Sequence, residues 1–139
     1  MIRRAGATQA CMTLFAGKPM DWKVRRHCGR LAAQAMMRMG HSAKLLNACR
    51  ATTLRGVLAY LKRNKFASLV ELMDATGLER IAPAMARPGD IIALPSEPGD
   101  GFGCSLAVAV DGGRVLFADQ LLGRFETTTP HLFVAAWRV

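Results

Sequence analysis

The chain has 139 residues and a mass of 15.1 kDa, enough for one domain with its own core and too few for a cofactor domain joined to a substrate domain. Its 51% hydrophobic and 21% charged residues, with a mean hydropathy of +0.16, exclude a disordered tail. Nineteen lysines and arginines against ten acidic residues leave a net charge of +9, which predicts attraction to anionic surfaces without choosing among nucleic acid, lipid headgroups and acidic proteins.

The first twenty residues carry Arg3-Arg4 and then an apolar run from Ala10 to Ala16 broken by Thr13. That run falls short of a secretory leader, and residues 1–20 are expected as an extended N-terminal arm of a single domain spanning 1–139. Arg or Lys interrupts every alanine- or leucine-rich segment before it reaches the roughly 20 apolar residues of a membrane helix, so no span is expected.

A helix is predicted from about Arg26 to Met39, where Cys28, Leu31, Ala32, Ala35, Met36 and Met39 share one face and Arg30, Gln34 and Arg38 another. Gly40 supplies its stop. A second helix is predicted from Thr53 to Asn64, with Leu54, Val57, Leu58 and Leu61 inward, Arg55, Lys62 and Arg63 outward, and Thr52 or Thr53 as cap. A third follows from Ser68, whose spacing to Glu71 is that of a capping box, and ends at Gly77.

After Pro83 the pattern changes to short apolar runs with period two. Arg87-Pro88-Gly89-Asp90 predicts a turn into a strand from Ile91 to Leu94, and the segment 95–103, rich in proline and glycine, predicts an irregular loop. Ser105 to Val110 and Arg114 to Ala118 flank Asp111-Gly112-Gly113, a hairpin signal because glycine tolerates positive φ. Further strands are predicted over Gly123 to Thr128 and Phe133 to Val139. Helices followed by an antiparallel sheet make an α+β domain.

Cys11, Cys28, Cys49 and Cys104 include no closely spaced pair, so free thiols are expected, with neither a metal site nor a cofactor. Cys28 has the most chemical potential: at a helix start, unpaired backbone N–H groups and the helix dipole favour a thiolate, and Arg25 and Arg26 add positive charge. A nucleophile also needs a base within hydrogen-bond reach and a group to orient that base. His27 as a helical neighbour would project about 100° away; His41 follows the helix stop and His131 lies beside Pro130. The competing reading is that Cys28 is a small buried apolar residue.

A cysteine opening a helix, an Arg-Pro-Gly-Asp turn into a strand and a glycine-bounded hairpin resemble the NlpC/P60 cysteine peptidases, whose fold is papain-like. Trp22 ahead of His27-Cys28, the run Ala84 to Ile92 and the closing Ala135-Ala136-Trp137-Arg138-Val139 resemble, more narrowly, small tail proteins of long-tailed bacteriophages, a degenerate branch of that fold. The resemblance spans about Trp22 to Val139. It places Cys28 at the nucleophile position, but Ser105 stands where the peptidases have the histidine base and Phe117 where they have the third polar residue. A serine cannot accept the thiol proton near pH 7, nor can a phenylalanine orient a base.

The resemblance therefore implies an inactive peptidase-like structural protein of the tail tip or baseplate, in the virion after synthesis in the host bacterial cytoplasm. Its implied partners are hub, distal tail or central-fibre proteins. Arg25, Arg26, Arg30, Lys62, Arg63 and Lys65, with Met37 off the main apolar stripe, are the interface candidates, suited to acidic protein surfaces. An active cell-wall cysteine peptidase aiding phage entry, with His131 or a partner's histidine as base, is the first alternative. A basic nucleic-acid-binding module is the second, disfavoured by only 6% aromatic residues and the lack of a binding motif. Trp137 is expected in the core, Trp22 over the start of the first predicted helix, and Asp90 in its turn. No carboxylate pair at catalytic spacing is present.

Overall fold

The computed structural model describes residues 2–139. Among these residues five α-helices, α1 (Ile2–Phe15), α2 (Cys28–Arg38), α3 (Lys44–Asn47), α4 (Leu54–Arg63) and α5 (Leu69–Asp74), precede the sheet. The six strands are β1 (Glu79–Ile81), β2 (Ile91–Leu94), β3 (Ser105–Ala109), β4 (Val115–Asp119), β5 (Arg124–Thr128) and β6 (Ala135–Arg138). They form one antiparallel sheet in the order β1-β6-β2-β3-β4-β5, which makes the molecule α+β, as its sequence pattern predicts.

The helix starts follow side-chain chemistry. Thr53 caps α4 by accepting from the Gly56 N–H, and Ser68 caps α5 by accepting from the Glu71 N–H. The Glu71 carboxylate in turn accepts from the Ala67 N–H at 3.3 Å, so the reciprocal bond reaches one residue before the cap. The predicted first helix begins two residues later than its periodicity suggests, because His27 is the cap, with extended backbone, and Cys28 is the first helical residue.

The N-terminal segment is a correction to the sequence reading: residues 2–15 are helix α1 and not an extended arm. Its amphipathic stripe is sparse, since Ala7, Cys11 and Phe15 are its buried apolar residues at four-residue steps. Phe15 meets Phe125 of β5 edge-on at 5.0 Å between ring centroids. At the other end Arg4 reaches 2.9 Å to Asp90, 3.0 Å to the Pro88 carbonyl and 2.7 Å to the Val139 oxygen.

Asp90 is likewise more than a turn residue. Its side chain is fully buried and accepts from Arg4 and the Val139 N–H on one oxygen and from the Arg87 N–H on the other; Arg138 Nε lies 3.1 Å from that second oxygen. Three parts of the chain, α1, the turn before β2 and the end of β6, thus converge on one carboxylate.

The helices cover one sheet face, where Leu31, Met36, Leu106, Val108, Leu116, Phe125 and Trp137 form the main core. Trp137 is fully buried, as expected, and donates to Asp74 at 2.9 Å, while Arg80 grips Asp74 through two bonds and lies over the indole at 5.4 Å. Ile92, Leu94, Ala107, Ala109, Val115 and Ala136 pack on the opposite face.

Removing one partner of a buried, hydrogen-bonded ion cluster strands the others. Asp90→Ala is therefore expected to lower stability by about 3–5 kcal/mol, measured by urea denaturation. Asp111→Ala, which breaks only the exposed hairpin pair with Arg114, is expected to leave the midpoint nearly unchanged.

Candidate functional site

A cleft of about 470 Å³ opens between the helices and the top of β3 and β4. The sequence motif and the geometry meet here, since His27, Cys28, Ser105 and Phe117 all line it. Its walls are chiefly apolar: Leu46, Val57, Leu61 and Leu72 come from α3, α4 and α5, and Trp22 and Phe102 from the connections before α2 and β3.

Residues 95–104 form one wall of the cleft and are fastened on both sides. Asp100 accepts from the Phe102 N–H at 2.8 Å and the Gly103 N–H at 3.3 Å, and the Phe102 carbonyl takes the Leu69 N–H at 2.8 Å. Gly101 and Gly103 have φ of +87° and +76°, and a Cβ on either would come within 2.8 Å of Leu58 or Ser68. The backbone angle favours glycine at both positions, and at Gly103 the close approach to Ser68 Cβ adds a steric reason. Phe102 stacks on Trp22 at 6.3 Å and Trp22 on His27 at 5.0 Å, so three rings run from this wall to the start of α2.

His27 does not project away from Cys28 as a helical neighbour would. It lies outside the helix and folds its ring back, so that Nδ1 accepts from the Gly29 N–H at 3.2 Å. A Cβ at Gly29 would stand 3.1 Å from that ring, which explains the glycine there. With Nδ1 an acceptor, the proton sits on Nε2. Nε2 is buried and has no hydrogen-bond partner among the described residues. Burial, reinforced by the positive charges of Arg30 and Arg25, lowers the imidazole pKa to about 4.

The surroundings of Cys28 oppose a thiolate. Burial pushes the thiol pKa up, opposed by backbone hydrogen bonding from Leu106 and from the first N–H groups of α2, and the Asp100 carboxylate raises it further. Desolvation outweighs the helix start. Cys104, on the same cleft, is pushed up to about 12 by burial and by its acidic neighbours, and all four cysteines are free.

Strand alternation explains the other two motif positions. Ser105 follows the Ala107 and Ala109 side of β3, and Phe117 packs with that second-face cluster, whereas Leu106 and Val108 are the β3 residues of the main core. Neither Ser105 nor Phe117 supplies a base. His41 and His131 are exposed and do not line the cleft.

The interface candidates fall into two groups. Arg26 donates to the Pro19 carbonyl and Arg30 to Asn47, so both are tied within the chain, while Arg25 holds a positive φ of 56°. Arg50, passed over in the sequence, acts electrostatically on Arg30 with Arg25. Lys62, Arg63 and Lys65 are exposed around the end of α4, with Arg63 5.9 Å from the Tyr60 ring, and Met37 is 38% exposed. No described helix is long and apolar enough to cross a membrane, and no cluster of three or more metal-ligating side chains occurs among the described residues.

Over residues 3–139 the chain matches a family described as a domain of unknown function, DUF6950. No curated protein and no solved structure matches it.

The His27 shift has a sign that a titration reads. The folded chain binds this proton near pH 4 and the unfolded chain near 6.5, so its contribution is intact above pH 6.5 and is lost as pH falls towards 4. Unfolding at pH 7 and pH 4 is expected to show about 3 kcal/mol more acid destabilisation for the native chain than for His27→Asn, in which asparagine retains a cap but does not titrate.

Proposed function

We propose, from the premise that the chain belongs to the DUF6950 family, that it is a catalytically inert NlpC/P60-like domain used for protein assembly in the tail tip or baseplate of a long-tailed bacteriophage. The observation that carries the inert part is the hydrogen bond from the Gly29 N–H to His27 Nδ1. The one histidine on the cleft among the described residues gives its acceptor nitrogen to the Gly29 N–H, so it is not placed to take the Cys28 proton.

The tail assignment rests on the sequence resemblance, and the surface is compatible with assembly. Leu121 and Leu122 in the β4–β5 turn are 98% and 55% exposed, and Leu132, Phe133 and Val134 before β6 are also exposed. These apolar side chains, with the cations at the end of α4, suit docking to other tail proteins such as the hub, distal tail or central-fibre components. The net charge of +9 then favours acidic partners.

Two measurements test the halves separately. Purified protein incubated with peptidoglycan and with a D-Glu-containing stem peptide is expected to release no product; cleavage that disappears in Cys28→Ala would overturn the inert assignment. Co-expression with the products of neighbouring genes is expected to recover the chain bound to a hub, distal tail or fibre protein. Its absence from purified tail particles would overturn the assembly assignment.

A further inference from the structure

We infer that the cleft binds an uncharged, mainly apolar small molecule through a carbonyl oxygen, with the His27 Nε2–H as principal donor and the Ser96 hydroxyl as a second contact. This goes beyond the assembly reading and does not depend on it.

Three buried side-chain polar atoms lack a hydrogen bond among the described residues: His27 Nε2, Ser96 Oγ and Arg138 Nε. Arg138 Nε is accounted for by Asp90, 3.1 Å away. The other two belong to different walls of the same cleft, one at the start of α2 and one in the loop after β2. Buried polar groups are almost always paired, so two unpaired ones lining a single apolar cleft mark a place where polarity from outside is received.

The chemistry of the pair selects the occupant. His27 offers only a donor, since its other nitrogen is taken by Gly29, and a hydroxyl donates as readily as it accepts. An acceptor oxygen satisfies both. Charges of both signs border the cleft, Arg25 and Arg30 acting on His27 and Asp100 on Cys28 and Cys104, so neither sign of ligand charge is matched throughout. Apolar walls then penalise an ion of either sign. A cleft of about 470 Å³ falls within the size range of small-molecule sites.

Trp22 stacks on the imidazole ring at 5.0 Å, so an occupant that reaches Nε2 displaces or covers the indole. The test uses N-methyloctanamide, 1-chlorooctane and octanoate as probes, read by Trp22 fluorescence and by ¹⁵N resonances of labelled histidine. The amide is expected to bind saturably, to shift the His27 Nε2 resonance, and to bind at least about fivefold more tightly than 1-chlorooctane, the equivalent of one net hydrogen bond. His27→Asn is expected to lose that preference while still binding 1-chlorooctane.

An amide that fails to saturate overturns the inference, and so does equal affinity for both neutral probes with the His27 resonance unmoved. Tighter binding of octanoate, with His27 becoming protonated, also overturns it. If His27→Asn does not fold, the titration of the native chain decides by the same criteria. Hydrolysis of the amide, or absence of the chain from tails, would count against the proposed function and leave this binding site standing.

Discussion

The fold hangs on the buried carboxylate of Asp90. β6 is paired on both sides, with β1 and β2, and α1 buries Ala7, Cys11 and Phe15; the polar contacts to Asp90 and its turn tie the start of α1 to the end of the chain beyond β6. A buried charge is costly to desolvate, and its benefit is geometric: the four groups gathered around it are satisfied together in one arrangement. Because Asp90 also opens β2, the same cluster sets where β2 begins and hence where its far end delivers residues 95–104 to the cleft. The sheet interior then fills with small and branched side chains, alanines on the second face and larger groups against the helices.

At the cleft one physical effect governs two titratable groups. Loss of water contact raises the Cys28 thiol and lowers the His27 imidazole, so that each is held in its neutral form. A cysteine–histidine catalytic pair requires the reverse, a thiolate beside an imidazolium or an imidazole poised to become one. The local backbone works in the same direction: Gly29 leaves room for the imidazole to curl back, and the Gly29 N–H occupies the nitrogen that would otherwise be free to accept.

Elements with a strong local signature were legible in the sequence. The helices capped by Thr53 and Ser68, the strand after Arg87-Pro88-Gly89-Asp90 and the hairpin around Gly112-Gly113 lie within one or two residues of their expected bounds. Those that depend on distant partners were not. Helix α1 shows only a thin stripe and is held by Arg4 and Phe15; α3 has four residues, too few for a period; and β1 carries Glu79 and Arg80 on an exposed edge that only pairing with β6 makes a strand. The site divides the same way. Cys28 was visible as a helix-start cysteine, but the roles of His27 and Asp90 depend on a ring orientation and on contacts from opposite ends of the chain. Arg50 entered the basic group through space and not through sequence proximity.

Position along a fold and chemistry at that position are therefore separable in this protein. The helix start would lower a thiol pKa if its N–H groups were the dominant influence, yet the walls around Cys28 impose a larger opposing penalty. The cleft that these walls enclose is lined by the two residues, His27 and Ser96, that carry buried polar atoms without a partner among the described residues.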